Sequence, residues 1–266
     1  MISNGAIAGM LLLTLFELAL PIVAYIVLRR RAALRIHNVL VGVGVFVVFV
    51  FLLQGAVHAV FLRLNVTTAA WLVTHPLPFA IYIALTAALF EETGRFVGNR
   101  FLVRRDPGVA TPLAYGLGHG GIECILVGAF STASLLVMGL LVQSGHGEVL
   151  KLPPESIEQI KMHLGAANFF NSLVGGPERA SGLVFQIALS FLVWRAVTAP
   201  RLRLLWWLAA VGAHFAINLP AGLVQAGVLA PSVILLEAGY LAAASLIVTM
   251  LVRTRGQLLL APGRAG

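Results

Sequence analysis

The sequence has few charged residues. Only 11% of its 266 residues are Asp, Glu, Lys or Arg, whereas a soluble domain has about 25%. Hydrophobic residues make up 59% of the chain, and they occur in runs of roughly 20, long enough to cross a hydrocarbon core of about 30 Å. This composition excludes an ordinary soluble domain. It predicts an all-α, polytopic transmembrane helix bundle.

Cysteine is almost absent as well. The single cysteine, Cys124, excludes an intramolecular disulfide framework and a Cys-based zinc finger. Acidic residues are also scarce, 10 against 18 basic ones, which gives a net charge of +8. Most of the basic residues lie at the ends of the hydrophobic runs, so we expect no nucleic acid as a partner.

The hydrophobic runs predict about seven membrane spans, within a range of six to eight. They cover residues 5–28, 38–62, 76–99, 111–143, 181–198, 204–228 and 232–252. The fourth is long for a single crossing and is expected to tilt, or to break near residues 116–121 or Gly139.

Thirteen of the eighteen basic residues fall on one side of this arrangement. They are Arg29, Arg30, Arg31, Arg35, Arg100, Arg104, Arg105, Arg195, Arg201, Arg203, Arg253, Arg255 and Arg264. The positive-inside rule then places the N-terminus outside and the C-terminus in the cytoplasm. The first span lacks a basic leader and a cleavage site, so we expect a retained helix rather than a signal peptide.

We expect one transmembrane domain over residues 1–266, in the plasma membrane of a prokaryote. The longest loop, 144–180, would be extracytoplasmic. Its segment "ESIEQIKMHL" at 155–164 has the spacing of a short helix lying on the membrane surface.

Ionisable groups interrupt three of the spans. "EETGR" at 91–95, His119 and His214 would each cost several kcal/mol in oil without partners. At about 1.5 Å per residue, the glutamates lie roughly 12–14 Å from the cytoplasmic end of their span, His119 about 12 Å and His214 about 16 Å. The three sets therefore share one depth, within about one helical turn.

Spacing adds a second constraint, since residues three or four apart lie on one helix face. The pairs are Glu91 or Glu92 with Arg95, His119 with Glu123, and His214 with Asn218. A carboxylate and a histidine that share one water form a general-base arrangement. A second histidine with an amide can stabilise an oxyanion. These parts suit hydrolysis of an amide bond inside a membrane.

Three segments resemble a known family. "EETGR" at 91–95, "YGLGHGGIE" at 115–123 and "HFAIN" at 214–218 are similar to the YhfC family of intramembrane peptidases. That family is related to the CPBP and Ras-converting CaaX proteases, which are glutamic-type intramembrane proteases. "GGPER" at 175–179 also looks like a YhfC feature. The arginine follows the second glutamate by three residues where the wider group usually has four, and Tyr115 stands where that group has Phe.

The resemblance implies a role for each matched residue. Glu91 and His119 would activate the water, His214 and Asn218 would form the oxyanion site, and Glu92 and Arg95 would hold the first helix in place. Which of Glu91 and Glu92 is the base stays open.

Glu123 has no counterpart in the wider group's motifs. It is a possible additional site residue that would orient His119, bind a metal or contact substrate.

The expected activity is an endopeptidase acting on a membrane protein or a lipidated or peptide substrate at the bilayer. No cofactor is expected, because no His-Glu-x-x-His helix is present. A zinc-dependent version would use Glu91, His119 and His214 as ligands. A non-catalytic membrane scaffold and a small transporter are the alternatives from other classes.

The other polar residues within the predicted spans match no motif. Glu17, Gln54, His58, Gln186 and Glu237 are expected to form helix-packing hydrogen bonds. The neighbours Glu178 and Arg179 are expected to have a structural or gating role.

Overall fold

The computed structural model describes residues 2–106, 108–230 and 232–259. Arg264, one of the basic residues counted above, lies outside them. Within the described part the chain is helical and forms no β-strand, which confirms the all-α prediction. The helices are α1 Asn4–Ala32, α2 Ile36–Leu64, α3 Val66–Thr74, α4 Pro76–Leu102, α5 Ala110–Gln143, α6 Pro154–Gly165, α7 Gly175–Thr198, α8 Arg203–Gln225 and α9 Val233–Leu259.

Each predicted span corresponds to one long helix. By length and hydropathy, five segments of the described chain can cross a membrane, and α3 with α4 makes a sixth if that pair, bent by 114°, is one span. The apolar part of α9 is shorter, Ile234–Met250. The number of seven and the direction of the termini therefore stay predictions.

The fourth predicted span is one helix, α5. It runs without interruption through both glycine-containing stretches where a break was expected. Its irregular part is Cys124–Ala129, where the helix widens into π-type turns. The expected loop helix is present as α6, which buries Leu164 against Ile2 and Leu136.

Helix α7 packs against α4, α5, α8 and α9, while α5 also packs against α2. The α2–α5 approach is close because residue 118 is glycine: a Cβ there would collide with the Val39 carbonyl. On the other side of α5, a Cβ at Gly120 would lie 2.8 Å from the Cβ of Gln186. Small residues let helix backbones approach in this way. The glycines thus set α5 tightly between α2 and α7.

At the predicted cytoplasmic ends of α2, α4 and α5, the buried side chain of Asn38 and nearby groups connect the helices through hydrogen bonds. Asn38 Nδ2 donates to the Arg104 carbonyl at 2.8 Å, and the Arg104 N–H donates to Asn38 Oδ1 at 2.9 Å. Nearby, Arg35 Nε and Asp106 Oδ1 are 2.6 Å apart. The Asp106 N–H donates to Thr111 Oγ1 at 2.8 Å. These contacts fix how the helices that carry the predicted site enter the bundle.

Candidate active site

Helix α4 brings three ionisable side chains into the interior. Glu91, Glu92 and Arg95 expose 6%, 0% and 0% of their surfaces. Ala80, Ala84 and Ala88, spaced every four residues, are buried on the preceding turns of the same helix, and a Cβ at Gly222 of α8 would lie 3.1 Å from the Ala80 carbonyl. The small residues allow α8 to lie close to α4. The charged groups one turn further therefore face other helices.

Arg95 joins α4 to α7. Its Nε lies 3.0 Å from Glu92 Oε2, and its Nη2 lies 4.0 Å from Glu91 Oε2. Its Nη1 donates to the Gln186 carbonyl at 2.8 Å and to Ser190 Oγ at 2.6 Å, and its Nη2 donates to Gln186 Oε1. A buried charge is tolerated when it is paired and hydrogen-bonded in this way.

Glu91 receives donors from two other helices at one oxygen. His119 Nε2 on α5 lies 3.1 Å from Glu91 Oε2, and Gln186 Nε2 on α7 donates to the same oxygen at 3.0 Å. The other oxygen, Glu91 Oε1, lies 3.8 Å from His214 Nε2 on α8. Four helices therefore meet at this carboxylate.

The two imidazoles are held differently. His214 Nδ1 bonds Glu92 Oε1 at 2.6 Å, which turns Nε2 toward Glu91. His119 is fixed by its bond to Glu91 and by ring packing: Phe46 meets it edge-on with centroids 5.2 Å apart, and Tyr115 stacks on it at 6.0 Å. Its Nδ1 is buried and has no hydrogen-bond partner among the described residues.

Of the other two predicted site residues, Glu123 contacts this cluster, and Asn218 follows His214 on the same helix. Glu123 is half-buried and accepts a hydrogen bond from Gln186 Nε2 at 2.6 Å. Asn218 is half-buried on α8, one turn after His214. In the described part of the chain no hydrogen bond of the Asn218 side chain is formed.

Two residues of the cluster were missed as site residues. Gln186 was expected only to join helices, and Ser190 was not singled out. The two residues lie one turn apart on α7. At 1.5 Å per residue, Gln186 is about 18 Å from Thr198, which is at the predicted cytoplasmic end of α7. That depth is close to that of the acid and histidine residues, so the depth comparison could have identified Gln186.

The other polar residues make contacts outside this cluster, except that Glu237, which was expected to form a helix-packing hydrogen bond, has a buried oxygen without a hydrogen-bond partner among the described residues. Thr132 Oγ1 donates to Glu17 Oε2 at 3.2 Å, and Gln54 Nε2 lies 3.0 Å from His58 Nε2. Glu178 pairs with its neighbour Arg179.

The carboxylate that a zinc version would use already has hydrogen-bond partners on one oxygen. No group of three or more His, Cys, Asp or Glu side chains among residues 2–106, 108–230 and 232–259 has the spacing of a metal site. The carboxylate oxygen nearest His119 is already bonded to that ring and to the Gln186 amide. An ion between them would have to replace both bonds.

Fold and site together describe a helical membrane protein with a buried acid–histidine cluster. Residues 16–240 match the family model described as YhfC intramembrane metalloprotease. The chain therefore belongs to the YhfC family, and it is an intramembrane protease by class.

One similar protein is the uncharacterized membrane protein YhfC of Bacillus subtilis (strain 168). It is 34% identical over 232 residues, which cover 86% of this chain and 89% of that protein. No solved structure matches significantly.

These findings confirm the predicted family, the membrane location and the protease class. The family description names a metalloprotease, which differs from our expectation of a metal-free enzyme. The glutamic-type mechanism stays a prediction.

Proposed function

We propose that the protein hydrolyses peptide bonds of membrane-associated substrates with a water activated by Glu91, in the plasma membrane of a prokaryote. The observation that supports this most is the meeting of Glu91, His119 and His214 from three helices at one buried point. Charged residues inside a bilayer mostly mark functional sites.

The unshared oxygen of Glu91 is the group that would take the proton. Its partner oxygen is occupied by His119 and Gln186, whereas Oε1 faces His214 Nε2 across 3.8 Å. A polar gap longer than about 3.5 Å suits a bridging water. One water bound there would contact both the base and the imidazole.

The reaction then needs no covalent intermediate. The water oxygen bonds to the substrate carbonyl carbon while its proton passes to Glu91 Oε1. The carbonyl electrons move to the oxygen, and this oxyanion accepts hydrogen bonds from the Asn218 amide and from Nε2–H of His214, whose ring acts in this step as the imidazolium, protonated on both nitrogens. Glu91 returns the proton to the departing nitrogen as the C–N bond breaks, which leaves a carboxyl and an amine product.

The rest of the cluster would hold these groups in place. Glu92 orients His214 through Nδ1, as the carboxylate does in a catalytic triad. Arg95 holds Glu92 and ties it to α7. Glu91 is the base in this scheme because each Glu92 oxygen already faces a partner, one in a hydrogen bond with His214 and the other in an ion pair with Arg95.

Mass spectrometry of peptides released from membranes tests the proposal. Membranes with the wild type are compared with membranes that carry Glu91→Gln, His119→Ala or Glu148→Gln, the last being a control on an exposed loop. We expect product peptides that both site variants abolish and the control retains. Equal products in wild type and Glu91→Gln membranes would refute the mechanism.

Two further arms of this experiment separate the alternatives. Loss of products after chelation, restored by Zn²⁺, would establish the zinc-dependent version. If the wild type releases no products but moves a solute across liposome membranes, the protein is a transporter. If it releases no products and a partner protein co-purifies with both the wild type and Glu91→Gln, the protein is a scaffold.

A further inference from the structure

The Gln186 side chain contacts two of the acids at the cluster, Glu91 and Glu123, and also Arg95. It exposes only 5% of its surface. Its Nε2 donates to Glu91 Oε2 at 3.0 Å and to Glu123 Oε2 at 2.6 Å, and its Oε1 accepts from Arg95 Nη2. The carboxamide thus has both N–H groups on carboxylates and its oxygen on a guanidinium.

These neighbours allow only one orientation of the amide. A carboxamide has two donors on nitrogen and acceptors on oxygen. If it turned by half a rotation, its oxygen would face Glu91 and Glu123, and its NH₂ would face Arg95. All three charge-assisted hydrogen bonds would be replaced by repulsive contacts.

The backbone around Gln186 is fixed as well. Arg95 Nη1 donates to the Gln186 carbonyl at 2.8 Å, and Ser190 Oγ donates to the same carbonyl at 2.8 Å. On the side of Gln186 that faces α5, the space at Gly120 is too small for a methyl group, because a Cβ there would lie 2.8 Å from Gln186 Cβ. The amide is therefore held on a rigid part of α7.

From these contacts we propose that Gln186 is a positioning residue that selects which oxygen of Glu91 meets the reacting water. This inference rests on the proposed function. With His119 and Gln186 both bound to Oε2, the carboxylate plane is fixed and Oε1 points toward His214. Without Gln186, one hydrogen bond remains on Oε2, and the carboxylate can rotate away from the water.

Gln186 also keeps Glu123 beside the base. Two carboxylates in a low-dielectric site repel each other. The NH₂ of Gln186 lies between them and donates to both. This assigns Glu123 the role of a second anchor for the amide, which the motif comparison left open.

The test measures kcat and KM of purified, reconstituted variants on a product-yielding membrane peptide found with the wild type. Gln186→Glu has the same shape and keeps an acceptor for Arg95, but it cannot donate to Glu91 and Glu123 when ionised. Gln186→Met keeps the length and removes all three polar bonds. A misplacement of about 1 Å costs about 10²-fold in rate, so we expect kcat to fall about 10²-fold in both.

The change should appear in kcat and not in KM, because Gln186 acts through the base and does not touch substrate. KM is expected to stay within about threefold of the wild type. The matched control is Gln54→Met, which replaces a buried glutamine in α2 whose Nε2 bonds His58. It should leave kcat within about twofold.

Thermal unfolding of each variant separates positioning from loss of fold, since rates are compared per folded molecule. If Gln186→Met does not fold, the kcat of Gln186→Glu tests the positioning role. If neither variant folds, Gly120→Ala tests it, because that substitution displaces Gln186 without removing a donor. Unchanged kcat in a folded variant, or a rise in KM alone, would overturn the inference. Glu91→Gln measured in parallel distinguishes the two proposals: if it stays active, the proposed function itself is wrong.

Discussion

Replacing Arg95 with lysine tests how much of the bundle depends on the buried guanidinium. Arg95 reaches Glu92 Oε2, the Gln186 carbonyl and Ser190 Oγ at 3.0, 2.8 and 2.6 Å. Lysine keeps the positive charge but has a single nitrogen in place of the planar fork. It can satisfy Glu92 or the α7 acceptors, and not both sets.

The expected cost follows from the acceptors left without donors. Each buried polar group that loses its partner costs about 1–3 kcal/mol, more for a charged group. Either Glu92 Oε2, which is charged, or Ser190 Oγ and Gln186 Oε1 lose the arginine. We therefore expect Arg95→Lys to lower the free energy of unfolding by about 3 kcal/mol. Arg100→Lys, on the same helix but exposed, is the matched control and should change it by less than about 0.5 kcal/mol.

The assay is reversible unfolding in mixed micelles with increasing SDS, followed by circular dichroism. It compares midpoints of the wild type, Arg95→Lys and Arg100→Lys. If the two variants lose the same stability, the guanidinium contacts do not carry the α4–α7 interface, and the reasoning is refuted.

Three other predictions concern the helix ends, the helix contacts and the metal. Asn38→Ala should cost about 2 kcal/mol in the same unfolding assay, because it removes both hydrogen bonds to the Arg104 backbone; a loss below about 0.5 kcal/mol would contradict this. Gly118→Val should reduce the yield of folded protein, because the valine side chain would enter the space of the Val39 carbonyl. Gly212→Val is the control, since position 212 has open space around it, and its yield should not change. Equal yields of the two variants would be evidence against the close α2–α5 approach. Chelation with 1,10-phenanthroline should leave the rate of peptide release within about twofold if the site works without metal, and a loss reversed by Zn²⁺ would show that it does not.

Much of the fold was accessible from the sequence because the bilayer simplifies the problem. A backbone in oil must be helical to satisfy its own hydrogen bonds, so hydrophobic runs alone predict the helices. The position of α3 was not predicted. It is a separate short helix, and the chain bends between it and α4 at His75–Pro76, where the proline lacks an N–H and restricts the residue before it.

The positions of the site residues along the helices were also predictable. Depth depends only on the helical rise, and shared faces depend only on residue spacing, so Glu91, His119 and His214 could be grouped before their contacts were known.

Which atoms pair across helices could not be predicted in the same way. That depends on the rotation of each helix about its axis, which hydrophobic periodicity defines poorly when all faces are apolar. The sequence suggested that His119 and Glu91 share a water, whereas the rings and carboxylates bond directly: His119 to Glu91 and His214 to Glu92. The role of Gln186 in joining three charged groups emerges only from those orientations.

The rate of peptide release by Glu91→Gln in reconstituted membranes shows whether Glu91 is the base. The substitution keeps the shape of the side chain, removes its negative charge, and leaves it unable to accept and return a proton. We expect a fall of at least about 10³-fold relative to Glu148→Gln, with thermal stability sufficient for a folded protein. A folded Glu91→Gln protein that releases peptides within about tenfold of that control would contradict it.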